Sequence, residues 1–301
     1  MNLTAETAER LIKVSVSDKN LKDIIIKLPY TFSLSQTLDC GQSFRWKICR
    51  GLNGIDSYCG VVGDSYVSIS QLDENTIVFH DTDMTFFYKF WNVYFDFERD
   101  YESLKDTFSR DAVLSKAIEF CGGIRVLRQP IWETLCSYII SQNNNIPRIK
   151  SLISKMCASF GNPIAIKLVD GTLSEEYSFP EPAILSKLNA SDFEKLGFGY
   201  RASYIVHAAR AVSSGEINLD AVAGMHIDEA RKELRKLTGV GPKVAECTLL
   251  YGFGREEAFP VDVWIKTVMS KFYNSGLPEY VKPHAGIAQI YLFHYVRNMI
   301  E

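Results

Sequence analysis

The sequence predicts an α+β protein, with an N-terminal antiparallel β-sheet domain with helices over residues 1–122 and an all-α domain over residues 123–301. Three observations predict it. Short segments of alternating apolar and polar residues, separated by short turns, fill the first third of the chain. From about Thr85 the apolar spacing changes to the three- and four-residue steps of a helix. Gly122-Gly123 is the first strong break in that helical pattern, and the domain boundary is placed there.

Phe32-Ser-Leu-Ser-Gln36 and Ser65-Tyr-Val-Ser-Ile-Ser70 alternate; Phe44-Arg-Trp-Lys-Ile48 and Tyr58-Cys-Gly-Val-Val62 lie between them, and Thr76-Ile-Val-Phe79 adds another strand. The glycine-bearing loop Gly51-Leu-Asn-Gly54 joins the segment ending at Ile48 to the one starting at Tyr58, and such short connections favour antiparallel pairing. Gly41, within Asp39-Cys-Gly-Gln-Ser-Phe-Arg45, marks a bulge or a close backbone approach. In the helical part, Phe86, Phe87, Phe90 and Trp91 repeat at helix spacing, followed by Leu104, Phe108, Leu114, Ala117 and Phe120. Ile131 to Ile140 is apolar enough for a core helix, ended by Ser141-Gln-Asn-Asn-Asn145. Pro147 opens the next helix, with Ile149, Leu152, Ile153 and Met156 inward. Helices joined by short loops are expected for the remainder.

At 301 residues, with 47% hydrophobic and 23% charged content, the composition is that of an ordinary globular chain with room for two or three domains. No apolar run approaches a membrane span, and the start, Met1-Asn-Leu-Thr-Ala-Glu-Thr7, carries no signal-peptide pattern. An intracellular protein is expected, in the cytoplasm of a bacterium or archaeon or the nucleus of a eukaryote. Seven cysteines without a Cys-x-x-Cys pair fit reduced thiols and argue against structural zinc. No metal or cofactor is expected. A net charge of −3 does not announce a nucleic-acid binder. A local patch is available in Arg231, Lys232, Arg235, Lys236 and Lys243, with only Glu233 opposing.

The chemistry concentrates in Leu237-Thr-Gly-Val-Gly-Pro-Lys243, followed by Val-Ala-Glu-Cys247 and by Phe259-Pro-Val-Asp-Val-Trp264. Gly239 and Gly241 allow a sharp turn, and Pro242 suits the first position of a helix. Helix, glycine hairpin, helix is the result, and the amides of Gly239, Val240 and Gly241 are expected to be free for a phosphate. Lys243 falls in the first helical turn, where the dipole disfavours a cation. Asp262 precedes a new apolar-periodic run and is an N-cap or first-turn acid. Taken singly, these are a surface lysine and a capping aspartate. Together, behind a phosphate-binding hairpin, they point to an amine nucleophile with a carboxylate partner.

Two further segments have both a structural and a functional reading. In Asn143-Asn-Asn-Ile-Pro-Arg148 the asparagines fill caps and turns, or their amides and Arg148 read base edges. In Gly197-Phe-Gly-Tyr-Arg-Ala-Ser-Tyr204 the aromatic beside an arginine is core, or a wedge for the gap left by a flipped base.

The hairpin, the lysine, Cys247 and Pro-Val-Asp262 together resemble the signature of base-excision DNA glycosylases, and most of all the 8-oxoguanine DNA glycosylase family. The likeness runs from about Phe32 along nearly the whole chain, through Gly-Gln-Ser-Phe-Arg-Trp46, Asn143 to Arg148 and Gly199 to Tyr204. It implies a bifunctional glycosylase and abasic-site lyase that excises 8-oxoguanine, preferably opposite cytosine, from double-stranded DNA and acts as a monomer. Lys243 would attack the anomeric carbon and hold the sugar as a Schiff base before β-elimination, and Asp262 would stabilise the developing positive charge. Gly41 would present its carbonyl to the N7–H that 8-oxoguanine has and guanine lacks. Gln289 would bind the base edge, while Phe293 and Cys247 sandwich the ring. Asn143, Arg148 and Arg201 would recognise the opposite cytosine, with Tyr200 and Tyr204 as wedge. No cysteine follows Cys247, so the iron–sulfur cluster of some related glycosylases is not expected. Trp264 departs from the histidine expected in eukaryotic relatives, and Tyr251 from the methionine expected there. Two alternatives stand beside this: a glycosylase for another damaged base, and a non-catalytic DNA-binding module using the hairpin alone.

Overall fold

The computed structural model describes residues 13–16, 23–49 and 57–299; the Gly51–Gly54 loop and the Met1–Thr7 start lie outside these. A six-stranded antiparallel sheet is built from β1 (Lys13–Val16), β2 (Ile24–Lys27), β3 (Trp46–Cys49), β4 (Ser57–Val62), β5 (Ser65–Gln71) and β6 (Thr76–His80). Its strand order is β1-β2-β6-β5-β4-β3. The register places Tyr58 opposite Ile69, and Ile69 opposite Phe79. One face of the sheet buries Ile24, Ile26, Trp46, Ile69 and Phe79 against the aromatic helical stretch Met84–Tyr94, where Phe87 and Trp91 are fully buried.

Phe32-Ser-Leu-Ser-Gln36, expected as a strand, is not one. It leads into the short helix α1 (Leu34–Leu38). Ser33 decides the matter, because its hydroxyl accepts the N–H of Gln36 and caps the helix at 3.2 Å. Leu34 and Leu38 then meet the core at i, i+4 spacing.

The second core is helical. It is assembled from α2 (Tyr101–Phe108), α3 (Ala112–Cys121), α4 (Ile131–Ile140), α5 (Ile146–Phe160), α6 (Arg201–Ser214), α7 (Ile227–Leu234), α8 (Pro242–Cys247), α9 (Val263–Phe272) and α10 (Ala285–Met299). α2 and α3, which precede Gly122-Gly123, pack into this helical core and not against the sheet. Ile149, Leu152, Ile153 and Met156 are buried as their spacing predicts. One hairpin interrupts the helices, β7 (Pro163–Lys167) paired antiparallel with β8 (Leu173–Tyr177), where the sequence predicts only loops between helices. α8 continues without a break into the π-helical stretch Thr248–Gly252, a wider turn with one extra residue. Among the described residues, no helix is long and apolar enough to cross a membrane.

Candidate active site

The hairpin between α7 and α8 is tight because the backbone of Gly239 leaves no room beside it. Gly239 sits at φ +85, and a Cβ there would lie 2.3 Å from ring atoms of Tyr204. Tyr204 is therefore packed against the hairpin. Gly241 is the N-cap of α8, and Pro242 is its first residue. The N–H of Val240 is not free, contrary to the expectation for all three amides: it donates to the Leu237 carbonyl at 3.0 Å, closing the turn. Among the described residues the amides of Gly239 and Gly241 have no partner. They are what the hairpin offers a phosphate.

Lys243, in the first turn of α8, points into an open cavity of about 650 Å³ whose walls include Gly41, Tyr138, Ser141, Asp262 and Phe293. Its Nζ donates to Ser141 Oγ at 3.2 Å and stands 4.6 Å from the centroid of the Tyr138 ring. Asp262 caps α9, with its carboxylate accepting the N–H of Ile265 at 2.9 Å. Among the described residues Lys243 and Asp262 face the same cavity and neither forms an ion pair. Trp264 and Lys266, one turn into α9, and Arg297 of α10 also line it.

Gly41 comes from the irregular stretch before β3. It is no bulge. Its φ of +86 turns the chain, and a Cβ there would lie 3.2 Å from Ile146 and 4.0 Å from Phe293, so the close approach is real. The following Gln42 is buried and anchors the loop. Its side-chain amide donates to the carbonyls of Thr37 and Arg125 at 2.8 Å each, and its side-chain oxygen accepts the N–H of Leu127 at 2.9 Å. Buried amides satisfied in this way fix the Gly41-Gln42 peptide.

Cys247 and Gln289 are buried, at 2% and 5% exposure. Cys247 stands one turn on from Lys243. Burial raises its thiol to about 11, against the opposing charge and hydrogen bond of Lys243. It stays a neutral thiol at physiological pH. The side-chain oxygen of Gln289 is buried with no hydrogen-bond partner among the described residues. Such an unpartnered buried oxygen is costly.

Opposite the hairpin, the three asparagines divide their roles. Asn144 donates to the Ile140 carbonyl at 3.2 Å, and Asn145 caps α5 by accepting the N–H of Arg148 at 3.0 Å. Asn143 is exposed and held at φ +46, a left-handed conformation that asparagine tolerates. Arg201 is buried, and its guanidinium donates to the carbonyls of Gln142, Asn143 and Phe198. The turn that displays Asn143 is thus held by Arg201. Tyr200 is 49% exposed and stacks edge-on with Tyr204, with centroids 5.5 Å apart. Arg148 is exposed and donates to the Gly197 carbonyl at 3.4 Å. Gln142 donates to the Gly239 carbonyl at 2.9 Å, which ties the asparagine turn to the hairpin.

The basic patch is smaller than its sequence. Arg231 is bound to Glu246 and to Asp228, and Lys236 is paired with Glu233, which leaves Lys232 and Arg235 as exposed cations on that surface.

Residues 24–135 match the family model described as 8-oxoguanine DNA glycosylase, N-terminal domain, and residues 136–282 match the HhH-GPD superfamily base excision DNA repair protein. The structure of MBOgg1 in complex with a low affinity DNA ligand is 41% identical, with 96% of this chain covering 100% of that one at a TM-score of 0.84. The chain belongs to the 8-oxoguanine DNA glycosylase family. A second member of that glycosylase family, the Clostridium acetobutylicum 8-oxoguanine glycosylase/lyase in complex with double-stranded DNA containing cytosine opposite to 8-oxoG, is 34% identical over 97% of this chain and 99% of that one, at a TM-score of 0.85. The N-glycosylase/DNA lyase of Saccharomyces cerevisiae is 30% identical over 263 residues, 80% of this chain and 68% of that protein.

In this glycosylase Lys243, Asp262, Gly41, Phe293 and Asn143 all meet at one cavity. Cys247 and Gln289 are buried and do not line it, and Arg148, Arg201, Tyr200 and Tyr204 lie outside its walls. Sequence reasoning missed Tyr138, Ser141, Gln142 and Glu246. Tyr138 and Ser141 carried no signal beyond core and cap, because their partners are more than ninety residues away.

Proposed function

We propose that this base-excision glycosylase and lyase binds duplex DNA, flips out 8-oxoguanine, preferably opposite cytosine, and excises it with Lys243 as nucleophile. The observation that supports this most is the convergence of the Lys243 amine, the Asp262 carboxylate and the Gly41 backbone on one cavity. The Lys243 amine, once its proton has been removed, attacks the anomeric carbon as the bond to the oxidised base breaks. Asp262 faces the developing positive sugar with a preorganised charge. The resulting amine–sugar adduct opens to a Schiff base, from which removal of a 2′ proton expels the 3′ phosphate.

Recognition rests on the Gly41 carbonyl. It gains a hydrogen bond from the N7–H of 8-oxoguanine and meets a lone pair on guanine, so the wrong base leaves a buried acceptor unsatisfied. The unpartnered oxygen of Gln289 suits a donor on the base edge. Phe293 and Cys247 bound the ring. On the other strand Asn143 and Arg148 meet the opposite cytosine, Arg201 presents that turn, and Tyr200 enters the gap left by the flipped nucleotide. The Gly239 and Gly241 amides take a backbone phosphate.

Incubation with a duplex carrying 8-oxoguanine opposite cytosine, in the presence of borohydride, tests the reading. The wild type is expected to release the base and to be trapped covalently, and Lys243→Gln to bind the lesion and do neither. A Gln variant that is still trapped assigns the chemistry to another amine. Excision of alkylated adenine with 8-oxoguanine left intact refutes the role of Gly41.

A further inference from the structure

Tyr138 stands between the carbonyl that would read the base and the amine that would attack the sugar. It is carried by α4 and is buried. Its hydroxyl lies 3.2 Å from the Gln42 carbonyl and 3.4 Å from the Gly41 carbonyl. Its ring face holds Lys243 Nζ at 4.6 Å, and the Tyr251 ring stacks nearly parallel to it at 5.5 Å. Gln129 donates to the same Gln42 carbonyl at 2.6 Å, in the peptide that follows Gly41-Gln42. Burial pushes the Tyr138 phenol well above its ordinary range, so it stays a donor throughout the neutral range.

We infer that Tyr138 is a positioning residue that sets base discrimination, its hydroxyl fixing the Gly41 carbonyl while its ring seats the Lys243 amine. This rests on the reading of Gly41 as the contact to the oxidised base. A phenol has one proton to give. Shared among the Gln42 and Gly41 carbonyls and the Tyr251 hydroxyl, that proton is not offered to the N7 lone pair of guanine, which would otherwise be rescued by it. When 8-oxoguanine brings its own N7–H to Gly41, the hydroxyl remains on Gln42, and nothing is left unpaired. The ring, meanwhile, packs against the Lys243 side chain with Nζ 4.6 Å from its centroid, which limits where the amine can stand. A displaced Gly41 carbonyl and a displaced amine are thus linked through one side chain.

Tyr138→Phe keeps the ring and removes the hydroxyl. Two rates are measured on each protein: single-turnover excision of 8-oxoguanine opposite cytosine, and borohydride trapping on a preformed abasic site, which holds no base to read. The ratio of the first to the second is expected to fall about tenfold, the effect of one lost buried hydrogen bond. Gln129→Met removes the second donor to the Gln42 carbonyl, one peptide on from the Gly41 carbonyl, without touching Lys243, and the ratio is expected to fall in the same direction. This second variant decides the matter alone if the first does not fold. Equal loss in both rates makes Tyr138 a structural residue and overturns the inference, as does an unchanged ratio in both variants. A wild type that is trapped on abasic DNA yet leaves 8-oxoguanine in place instead refutes the proposed substrate, and the inference with it.

Discussion

The carboxylate of Glu246 accepts the backbone N–H of Phe259 at 2.7 Å. The same group receives the Arg231 guanidinium at 2.6 and 3.2 Å. One side chain therefore ties α7, α8 and the segment leading to Asp262, and it sets the span between the two proposed catalytic groups.

Glu246→Ala is expected to lower stability by roughly 2 kcal/mol, the range for hydrogen bonds to a charged group. Single-turnover excision is expected to fall as well, because Lys243 and Asp262 would no longer be held to each other. Glu246→Gln keeps an acceptor for Phe259 and is expected to recover part of both. Denaturant unfolding alongside the excision assay checks this. An Ala variant with the wild-type rate shows that the tie is not felt in the cavity.

At Asp262 stability and catalysis are expected to separate. Asparagine caps a helix about as well as aspartate, so Asp262→Asn is expected to leave the melting temperature nearly unchanged. Removal of the charge is expected to slow single-turnover excision about a hundredfold or more. Asp262→Ala is expected to lose both. Wild-type excision by the Asn variant leaves Asp262 a cap and nothing more.

Arg148 and Arg201 are expected to fail differently. Arg148→Ala is expected to reduce excision opposite cytosine more than opposite adenine, with little change in stability, because the side chain is exposed. Arg201→Ala removes the donor that holds the Gln142 and Asn143 carbonyls. It is expected to lower the melting temperature and, with the Asn143 turn released, to reduce excision opposite every base, cytosine most. Unchanged stability in the Arg201 variant assigns the turn to other contacts.

His294 supplies a pH dependence. Burial, followed by the charge of Arg297, lowers it from the ordinary 6.5, and its Nδ1 is buried without a partner among the described residues. Below the unfolded value the unfolded chain binds the proton more readily, so stability falls as pH falls through about 6.5 and is restored above it. The difference in melting temperature between wild type and His294→Gln is expected to shift against the wild type between about pH 7 and pH 5. A pH-independent difference removes His294 from the balance.

Much of the site was legible because it is local. The hairpin glycines, Pro242 and Lys243 specify one turn and one helix start, and Asp262 announces its helix by its position. Strands β4, β5 and β6 were legible because their residues alternate or run as short apolar segments between turns. The isoleucine run of β2 does not alternate, and it escaped notice. Phe32 to Gln36 fits two periodicities at once, and only the Ser33 cap chooses between them. Arg231 could not be told from a surface cation, because its partner Glu246 stands fifteen residues on, across the hairpin. The role of Arg201 depends on carbonyls nearly sixty residues away.

The π-helical turn after α8 has an evolutionary consequence. In an unbroken α-helix, eight residues past Lys243 fall about 80° away from it around the axis. The extra residue of the wide turn brings Tyr251 back by about 100°, onto the face shared by Lys243 and Cys247, where it meets Tyr138. A substitution at Tyr251 leaves every neighbour in phase. A one-residue insertion or deletion between Cys247 and Gly252 does not, since it rotates the aromatic wall off the nucleophile while leaving the composition almost untouched. Relatives in this lineage are expected to vary in the letters of this segment and to hold its length.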